Sequence, residues 1–207
     1  MPKAVKRYTP EEYYRLERDA TYKSDYYDGE IFAMAGGTSR HALIGSNINR
    51  EVGNGLKGTP CAAYSADQRL KIKTTGLRVY PDVSVYCGPL EYDAQDANAE
   101  TATNPTVLIE VLSPSTESYD RGFKAENYRQ IKSLRAYVLV SQDKPHVEVY
   151  ERQADDSWVL REENRLDAAV KVPGISVTLP LAEVYDRIEF SASDARPKPP
   201  GGSSVEE

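Results

Sequence analysis

The stretch Thr106-Val107-Leu108-Ile109-Glu110-Val111-Leu112 predicts a strand that is buried on both faces, and Ser113-Pro114-Ser115-Thr116 ends it at once. Side-chain alternation places Val107, Ile109 and Val111 on one face and Leu108, Glu110 and Leu112 on the other. Glu110 therefore interrupts an apolar face. Since an unpaired buried carboxylate is costly, Glu110 either forms a salt bridge with a neighbouring Arg or Lys or belongs to a functional site.

The elements around this strand predict an α/β (α+β) domain. Helices are predicted from a cap at Thr9 to about 19, from a cap at Thr38 or Ser39 to about 58, over 117–132, and as a short turn over 181–186. Strands are predicted over 23–35, folded at Asp28-Gly29, and at 62–64, 69–73, 79–87, 106–112, 136–140, 146–152, 158–166 and 170–179. Residues 88–104 are predicted to be a long exposed loop. One domain is expected over 1–193, followed by a disordered tail over 194–207.

Composition narrows the class of protein. The 207 residues carry a net charge of −6, which excludes the overall basic footprint of a general nucleic-acid coat. Residues 50–80 nevertheless hold six bases against two acids, so a local basic surface is expected there, as it is over 121–135. Cys61 and Cys87 are too few for a disulfide framework and are expected to be buried or idle thiols in a cytoplasmic protein. No apolar run approaches the roughly 18 residues that span a membrane.

Two further residues, Asp82 and Lys124, are candidates for the same functional site as Glu110. Asp82 follows Pro81 near the start of a strand, and carboxylates from two strands can converge on one Mg²⁺, which prefers oxygen ligands and keeps several waters. Taken alone, Asp82 is more often a turn or cap residue. Lys124 lies within the apolar arc of the predicted helix 117–132, at about 100° per residue. Such a lysine either extends its ammonium to solvent or, near two carboxylates, orients or deprotonates a water.

These residues resemble the Uma2 endonuclease family. The similarity covers about residues 9–181 and is most specific in the segment from Val111 to Thr116 with its sequel Tyr119-Asp120-Arg121-Gly122. The other matching features are Pro81-Asp82, Glu110, Phe123-Lys124, Tyr128, Tyr137-Val138-Leu139-Val140, the stretch 27–34 and His41.

The resemblance implies a PD-(D/E)xK restriction-endonuclease-like fold, with a mixed central sheet flanked by helices and a bound Mg²⁺ or Mn²⁺. It implies that Asp82, Glu110 and the backbone carbonyl of Val111 hold the metal. Leu112 stands where the general motif has a lysine, which assigns the role of that lysine to Lys124 on the following helix.

Three other residues are weighed for the same site. Glu30 is either an additional active-site carboxylate or an ordinary hairpin glutamate. His41 contacts substrate or simply lies near a helix start. Tyr128 is included because it accompanies the matching motif.

The leading functional hypothesis is a metal-dependent endonuclease that hydrolyses phosphodiester bonds in DNA, with basic segments contacting phosphates. The net acidity indicates a weak or narrowly targeted DNA binder. The alternative is an inactive nuclease-fold protein that serves as a binding or assembly module. A sugar-processing carboxylate pair would need an acid and a base at a defined separation in an open cleft and would leave Lys124 without a role. A homodimer is compatible with either hypothesis.

Overall fold

The computed structural model describes residues 6–34 and 36–190. Its helices are α1 (Pro10–Asp19), α2 (Ser39–Gly55), α3 (Glu117–Tyr119), α4 (Ala125–Tyr128) and α5 (Leu181–Val184), and a π-helical turn (Asp120–Lys124) joins α3 to α4. Its strands are β1 (Ser24–Tyr27), β2 (Glu30–Ala33), β3 (Cys61–Ser65), β4 (Arg69–Lys71), β5 (Arg78–Val79), β6 (Val83–Cys87), β7 (Thr101–Ala102), β8 (Val107–Leu112), β9 (Ala136–Ser141), β10 (Val147–Arg152), β11 (Trp158–Glu163), β12 (Ala169–Val172) and β13 (Val177–Pro180). The tail predicted over 194–207 lies outside the described residues.

A mixed six-stranded sheet forms the centre of the fold, in the order β11-β10-β9-β8-β6-β3. β8 runs parallel to β9 and antiparallel to β6, which confirms the mixed sheet. Every residue of β8 is buried. Val107, Ile109 and Val111 pack in one core with residues of α2, while Leu108 and Leu112 pack in another with residues of α4. The two faces predicted from alternation are therefore confirmed.

A second sheet carries the N-terminal elements, in the order β2-β1-β5-β4-β7. The predicted capping box begins α1. The Thr9 hydroxyl accepts a hydrogen bond from the backbone N–H of Glu12, and the Glu12 carboxylate accepts one from the backbone N–H of Thr9. The β1–β2 hairpin turns at Asp28-Gly29, both in the left-handed backbone region, with φ of 46° and 81°. These local signals place both elements close to their predicted bounds.

The segment predicted as one strand over 79–87 is divided between the two sheets. β5 belongs to the second sheet and β6 to the central one, and Tyr80-Pro81-Asp82 connects them. Pro81 has no N–H for a strand ladder, which suits this break. Asp82 consequently lies at the junction of the two sheets.

The acidic stretch 88–104 is an exposed loop over most of residues 88–100, as its composition predicts, but it does not lie free of the domain. It folds over the second sheet, contributes β7, and buries Asp93 and Asp96. Asp93 pairs with Lys71 and Arg78. The prediction is wrong for Asp93 and Asp96, because these two acids meet complementary bases on neighbouring strands.

The same pairing corrects the predicted basic surface. Arg69 lies against Asp96, and Lys73 pairs with Glu91. In the other basic segment, Arg121 is bound to Glu117 and Glu148. Much of the predicted positive charge is therefore neutralised within the protein.

The expectation of buried or idle thiols is wrong. Cys61 on β3 lies directly opposite Cys87 on β6, and the two form a disulfide. Their 26-residue separation conceals this relationship in the sequence. The strand register brings the two sulfur atoms together.

Three smaller boundaries also differ from the prediction. The helix expected over 117–132 ends at Tyr128 and contains the π-helical turn. The strand expected over 170–179 is a hairpin of β12 and β13. The turn expected over 181–186 is helical over Leu181–Val184.

Within residues 6–34 and 36–190, no helix combines the length and apolar character needed to cross a membrane.

Candidate active site

Asp82 is held beside Glu110 by the pairing of β6 with β8. Val83 pairs with Ile109 in this antiparallel register, and one further step places Asp82 opposite Glu110. The backbone N–H of Asp82 donates to Glu110 Oε2 at 3.3 Å, and the backbone N–H of Val111 donates to Asp82 Oδ2 at 2.7 Å. These contacts orient both carboxylates from the backbone.

Glu110 is a buried carboxylate with several hydrogen-bond partners. Its Oε1 accepts from the Tyr128 hydroxyl at 2.7 Å and from Lys124 Nζ at 3.1 Å. Burial raises the pKa of Glu110 above its ordinary value, although the charge of Lys124 acts in the opposite direction. The salt bridge considered from sequence is thus present, and it lies within the candidate site.

Lys124 points inward rather than toward solvent. It is 6 % exposed, and its Nζ lies 2.9 Å from Asp120 Oδ1 as well as near Glu110. Burial by itself lowers the pKa of Lys124, but the nearby carboxylates of Glu110, Asp120 and Asp25 outweigh it and raise the pKa well above its usual value. The amine is therefore a buried cation, and the solvent-directed alternative for this lysine is excluded.

The π-helical turn positions this lysine. The backbone N–H of Ala125 reaches the carbonyl of Asp120, five residues earlier, which widens the helix by one residue. Asp120 and Lys124, both buried, lie on this turn. Such turns occur frequently at functional sites, and regular helical periodicity does not reveal them in a sequence.

His41 reaches the same site from the first turn of α2. Its backbone N–H donates to the Thr38 cap, and its ring Nε2 lies 3.3 Å from Asp82 Oδ2. The hydrogen bond to Asp82 raises the pKa of His41, although burial acts against it, and a contact with the backbone of Val111 adds to the rise. His41 therefore combines its place at a helix start with a contact to Asp82.

The structure does not bring Glu30 to the cluster of Asp82, Glu110 and Lys124. Glu30 lies on β2, and its Oε1 is 3.3 Å from Arg7 Nη2. The acid that approaches Lys124 from this hairpin is Asp25 on β1, which is buried and accepts a hydrogen bond from the Tyr119 hydroxyl. The sequence signal that identified Glu110, an acid on an otherwise apolar strand face, marks neither acid: Asp25 alternates with Lys23 and Tyr27, and Asp120 lies in a helical segment.

A cleft with a volume of about 670 Å³ opens over these residues. Its lining includes five of the predicted site residues: His41, Asp82, Glu110, Val111 and Lys124. Tyr128 lies beneath them and is fully buried. The wall of the cleft that carries Asp82 is therefore open to a ligand from outside.

The donor set fits a hard divalent cation. Mg²⁺ is commonly held by one or two carboxylates together with several waters, and Asp82 and Glu110 supply two carboxylates on one wall of the cleft. Among the described residues, no three His, Cys, Asp or Glu side chains form a closed metal cage. Two carboxylates on one wall leave the remaining coordination positions of such an ion to water or another ligand.

Comparison with known proteins identifies relatives of this chain. The Uma2 family, described as "Putative restriction endonuclease", matches residues 10–182. Two proteins of Synechocystis are each 32 % identical: uncharacterized protein slr1290 over 88 % of this chain and 93 % of its own length, and uncharacterized protein sll1609 over 74 % and 86 %. The family match spans most of the chain.

A solved structure shares the fold. The crystal structure of a "putative nuclease belonging to DUF820" from Anabaena variabilis aligns with a TM-score of 0.66 at 21 % identity, over 84 % of this chain and 95 % of that one. The chain has the restriction-endonuclease-like fold, and it belongs to the Uma2 family.

Proposed function

We propose that this Uma2-family chain is a metal-dependent endonuclease that hydrolyses phosphodiester bonds in DNA. The observation that carries the proposal is the buried ion pair of Lys124 and Glu110, which lies beside Asp82 on the wall of an open cleft. A buried charged pair is costly to maintain, and strongly perturbed ionisable groups in a cleft are typical of functional sites.

Asp82 and Glu110 are the proposed ligands of Mg²⁺ or Mn²⁺, together with the backbone carbonyl of Val111. When bound there, such a cation lowers the pKa of a coordinated water and neutralises phosphate charge. The backbone hydrogen bonds from Val111 to Asp82 and from Asp82 to Glu110 hold the carboxylates in place before substrate arrives. This preorganisation reduces the cost of assembling the site.

Lys124 is proposed to orient the attacking water and to offset negative charge on the phosphate. Its pKa is raised by the surrounding carboxylates, so the amine is protonated near neutral pH and acts as a hydrogen-bond donor rather than as a base. The hydroxyl of Tyr128 and the carboxylate of Asp120 keep Glu110 and Lys124 in their present arrangement.

The proposal is tested by nicking of supercoiled plasmid DNA with Mg²⁺ or Mn²⁺ and with EDTA. Wild type is expected to cut only with the metal, and Lys124→Ala is expected to lose about 10²- to 10⁴-fold in rate, the usual contribution of such a group. Lys171→Ala, at an exposed lysine outside the cleft, is the matched control.

Lys124→Arg keeps the buried charge and guards against simple misfolding of the alanine variant. We expect Lys124→Arg to retain a cooperative thermal transition and to cut slowly, because a guanidinium does not reproduce the position of the amine. Absence of metal-dependent nicking by folded wild type on linear, supercoiled and single-stranded DNA would instead support the binding-module alternative.

A further inference from the structure

A second cavity adjoins the cleft, and we call it the aromatic pocket. It has a volume of about 510 Å³ and is lined by Asp25, Tyr27, Phe32, Ala33, Met34, Ser115, Thr116, Tyr119, Phe123 and Lys124. Met34, Ser115, Thr116 and Lys124 also line the cleft. A ligand in the aromatic pocket therefore lies next to the proposed site of phosphate hydrolysis, with Lys124 at the boundary.

The walls of the aromatic pocket present flat rings. Tyr119 and Phe123 lie nearly parallel, with centroids 5.6 Å apart and an angle of 14°, while Tyr27 meets Phe123 edge-on at 5.0 Å. Phe32 on the rim remains 49 % exposed. A cavity lined by aromatic and apolar side chains with a few polar groups is typical of a small-ligand site.

Asp25 supplies a polar group in these apolar surroundings. The residue is 6 % exposed, and within the described part of the chain its Oδ1 has no hydrogen-bond partner, while Oδ2 accepts from the Tyr119 hydroxyl at 3.1 Å. A buried acceptor without a donor costs free energy. A flat ligand that carries N–H groups would satisfy this oxygen.

The hairpin places the aromatic and polar groups side by side. Asp25 on β1 pairs directly with Phe32 on β2, so both side chains project from the same face of the hairpin. The aromatic pocket thus combines a stacking surface with an unpaired acceptor, and it adjoins the cleft that holds the proposed phosphate site. Nucleobases match this set, since they have two flat faces and amino or imino N–H donors on the edge.

We infer that the aromatic pocket receives one unstacked nucleobase of the DNA strand, next to the phosphate that is cut. This inference rests on the proposed function. A base within an intact duplex is stacked and paired, and proteins that grip a single base bind it outside the stack. The substrate class is therefore DNA that carries an unpaired nucleotide at the cleavage position.

The experiment compares two duplexes that differ by one base. Both carry a single unpaired nucleotide, which is an adenine in one and an abasic residue in the other. Affinity is measured by fluorescence anisotropy with Ca²⁺ in place of Mg²⁺, because Ca²⁺ also binds carboxylate oxygens. We expect wild type to prefer the adenine duplex about 5- to 150-fold, which corresponds to the usual contribution of stacking one base on aromatic residues.

Variants of the pocket assign this preference to its residues. Phe32→Ala and Asp25→Asn are each expected to reduce the preference, and Phe32→Trp is expected to retain it. Tyr92→Ala is the matched control, because Tyr92 is an aromatic residue of similar exposure, 45 %, outside the pocket. Since Phe32 is half exposed, its replacement is expected to leave the core intact.

Several outcomes would overturn the inference. These are equal wild-type affinity for the two duplexes, a preference that survives both Phe32→Ala and Asp25→Asn, tighter binding of a fully paired duplex, or no binding of any DNA. Competition by free deoxyadenosine monophosphate as strong as by the oligonucleotide would assign the pocket to free nucleotides instead.

The plasmid assay separates the two proposals. Metal-dependent cutting without a base preference would leave the endonuclease proposal standing and remove the pocket assignment. A base preference without cutting would keep the pocket assignment and remove the endonuclease.

Discussion

Asp82 lies opposite Glu110 across the β6–β8 pair, with the backbone N–H of Asp82 donating to Glu110 Oε2 at 3.3 Å. The two acids are thus neighbours in one antiparallel register although they are 28 positions apart in the sequence. Asp82 occupies the junction between the two sheets, and Glu110 occupies the centre of β8. This relationship makes one shared cation possible and leads to the first prediction.

Divalent cations are expected to stabilise the folded protein. A ligand at 100 times its Kd adds about 2.7 kcal/mol to the free energy of unfolding, or about 5–10 °C in Tm for a chain of this size. Asp82→Asn and Glu110→Gln should reduce this increment in calorimetry with Mg²⁺ or Mn²⁺, because each removes an anionic ligand. Asp143→Asn, at an exposed position, should keep it. Equal increments in all four proteins would count against the shared cation.

Asp25 is expected to make the folded protein less stable as the pH rises. Burial, with smaller contributions from Asp120 and Glu17, raises the pKa of Asp25 to about 6, against the lowering effects of Lys124 and the Tyr119 hydrogen bond. The folded state therefore binds this proton more tightly than the unfolded state. From about pH 4 to just above pH 6 the Asp25 contribution should fall by about 3 kcal/mol and then level off.

Denaturant unfolding of wild type and Asp25→Asn across this pH range measures the effect. The variant lacks the titrating carboxyl, so its stability relative to wild type should increase from pH 4 to pH 7. Asp143→Asn provides the reference for an exposed aspartate. A pH-independent difference between wild type and Asp25→Asn would show that the carboxyl has an ordinary pKa.

The disulfide is expected to contribute to stability. Closing a loop of this length, with cysteines 26 positions apart, stabilises a protein by about 3 kcal/mol in the chain-entropy model. The double variant Cys61→Ser/Cys87→Ser should therefore melt about 6–12 °C lower than the oxidised protein. Wild type in dithiothreitol should approach the variant. Two reactive thiols in the unreduced native protein would refute the cross-link.

Breaking the buried pair of Arg78 and Asp93 is expected to be strongly destabilising. Both side chains are nearly inaccessible, so Asp93→Asn leaves the Arg78 guanidinium without its carboxylate, and loss of one partner of a buried pair costs about 3–5 kcal/mol. The control is Glu91→Gln, since the pair of Glu91 and Lys73 is 60 % exposed on both sides and such surface pairs contribute about 0–1 kcal/mol. Urea unfolding curves that shift equally for the two variants would contradict the structural role of the acidic stretch.

Local patterns in the sequence predicted much of the fold and part of the site. Alternation in β8 identified both of its faces, the capping signals located α1, and Asp28-Gly29 located the first hairpin. The apolar arc of the predicted helix singled out Lys124 but left open whether its ammonium reaches solvent, and the structure shows it buried. These features depend on residues that are close in the chain, so propensity and period are sufficient to reveal them.

Tertiary structure decided which distant residues meet. Cys61 and Cys87 form a disulfide because β3 and β6 pair in one particular register, and Asp25 rather than Glu30 approaches Lys124 because of the way the hairpin packs on the helical segment. Asp93 can be buried because Arg78 on β5 and Lys71 on β4 pair with its carboxylate. The amino-acid sequence specifies the chemistry of each side chain. Which other side chain it meets depends on strand register and on packing between elements, and these are set by the whole chain at once.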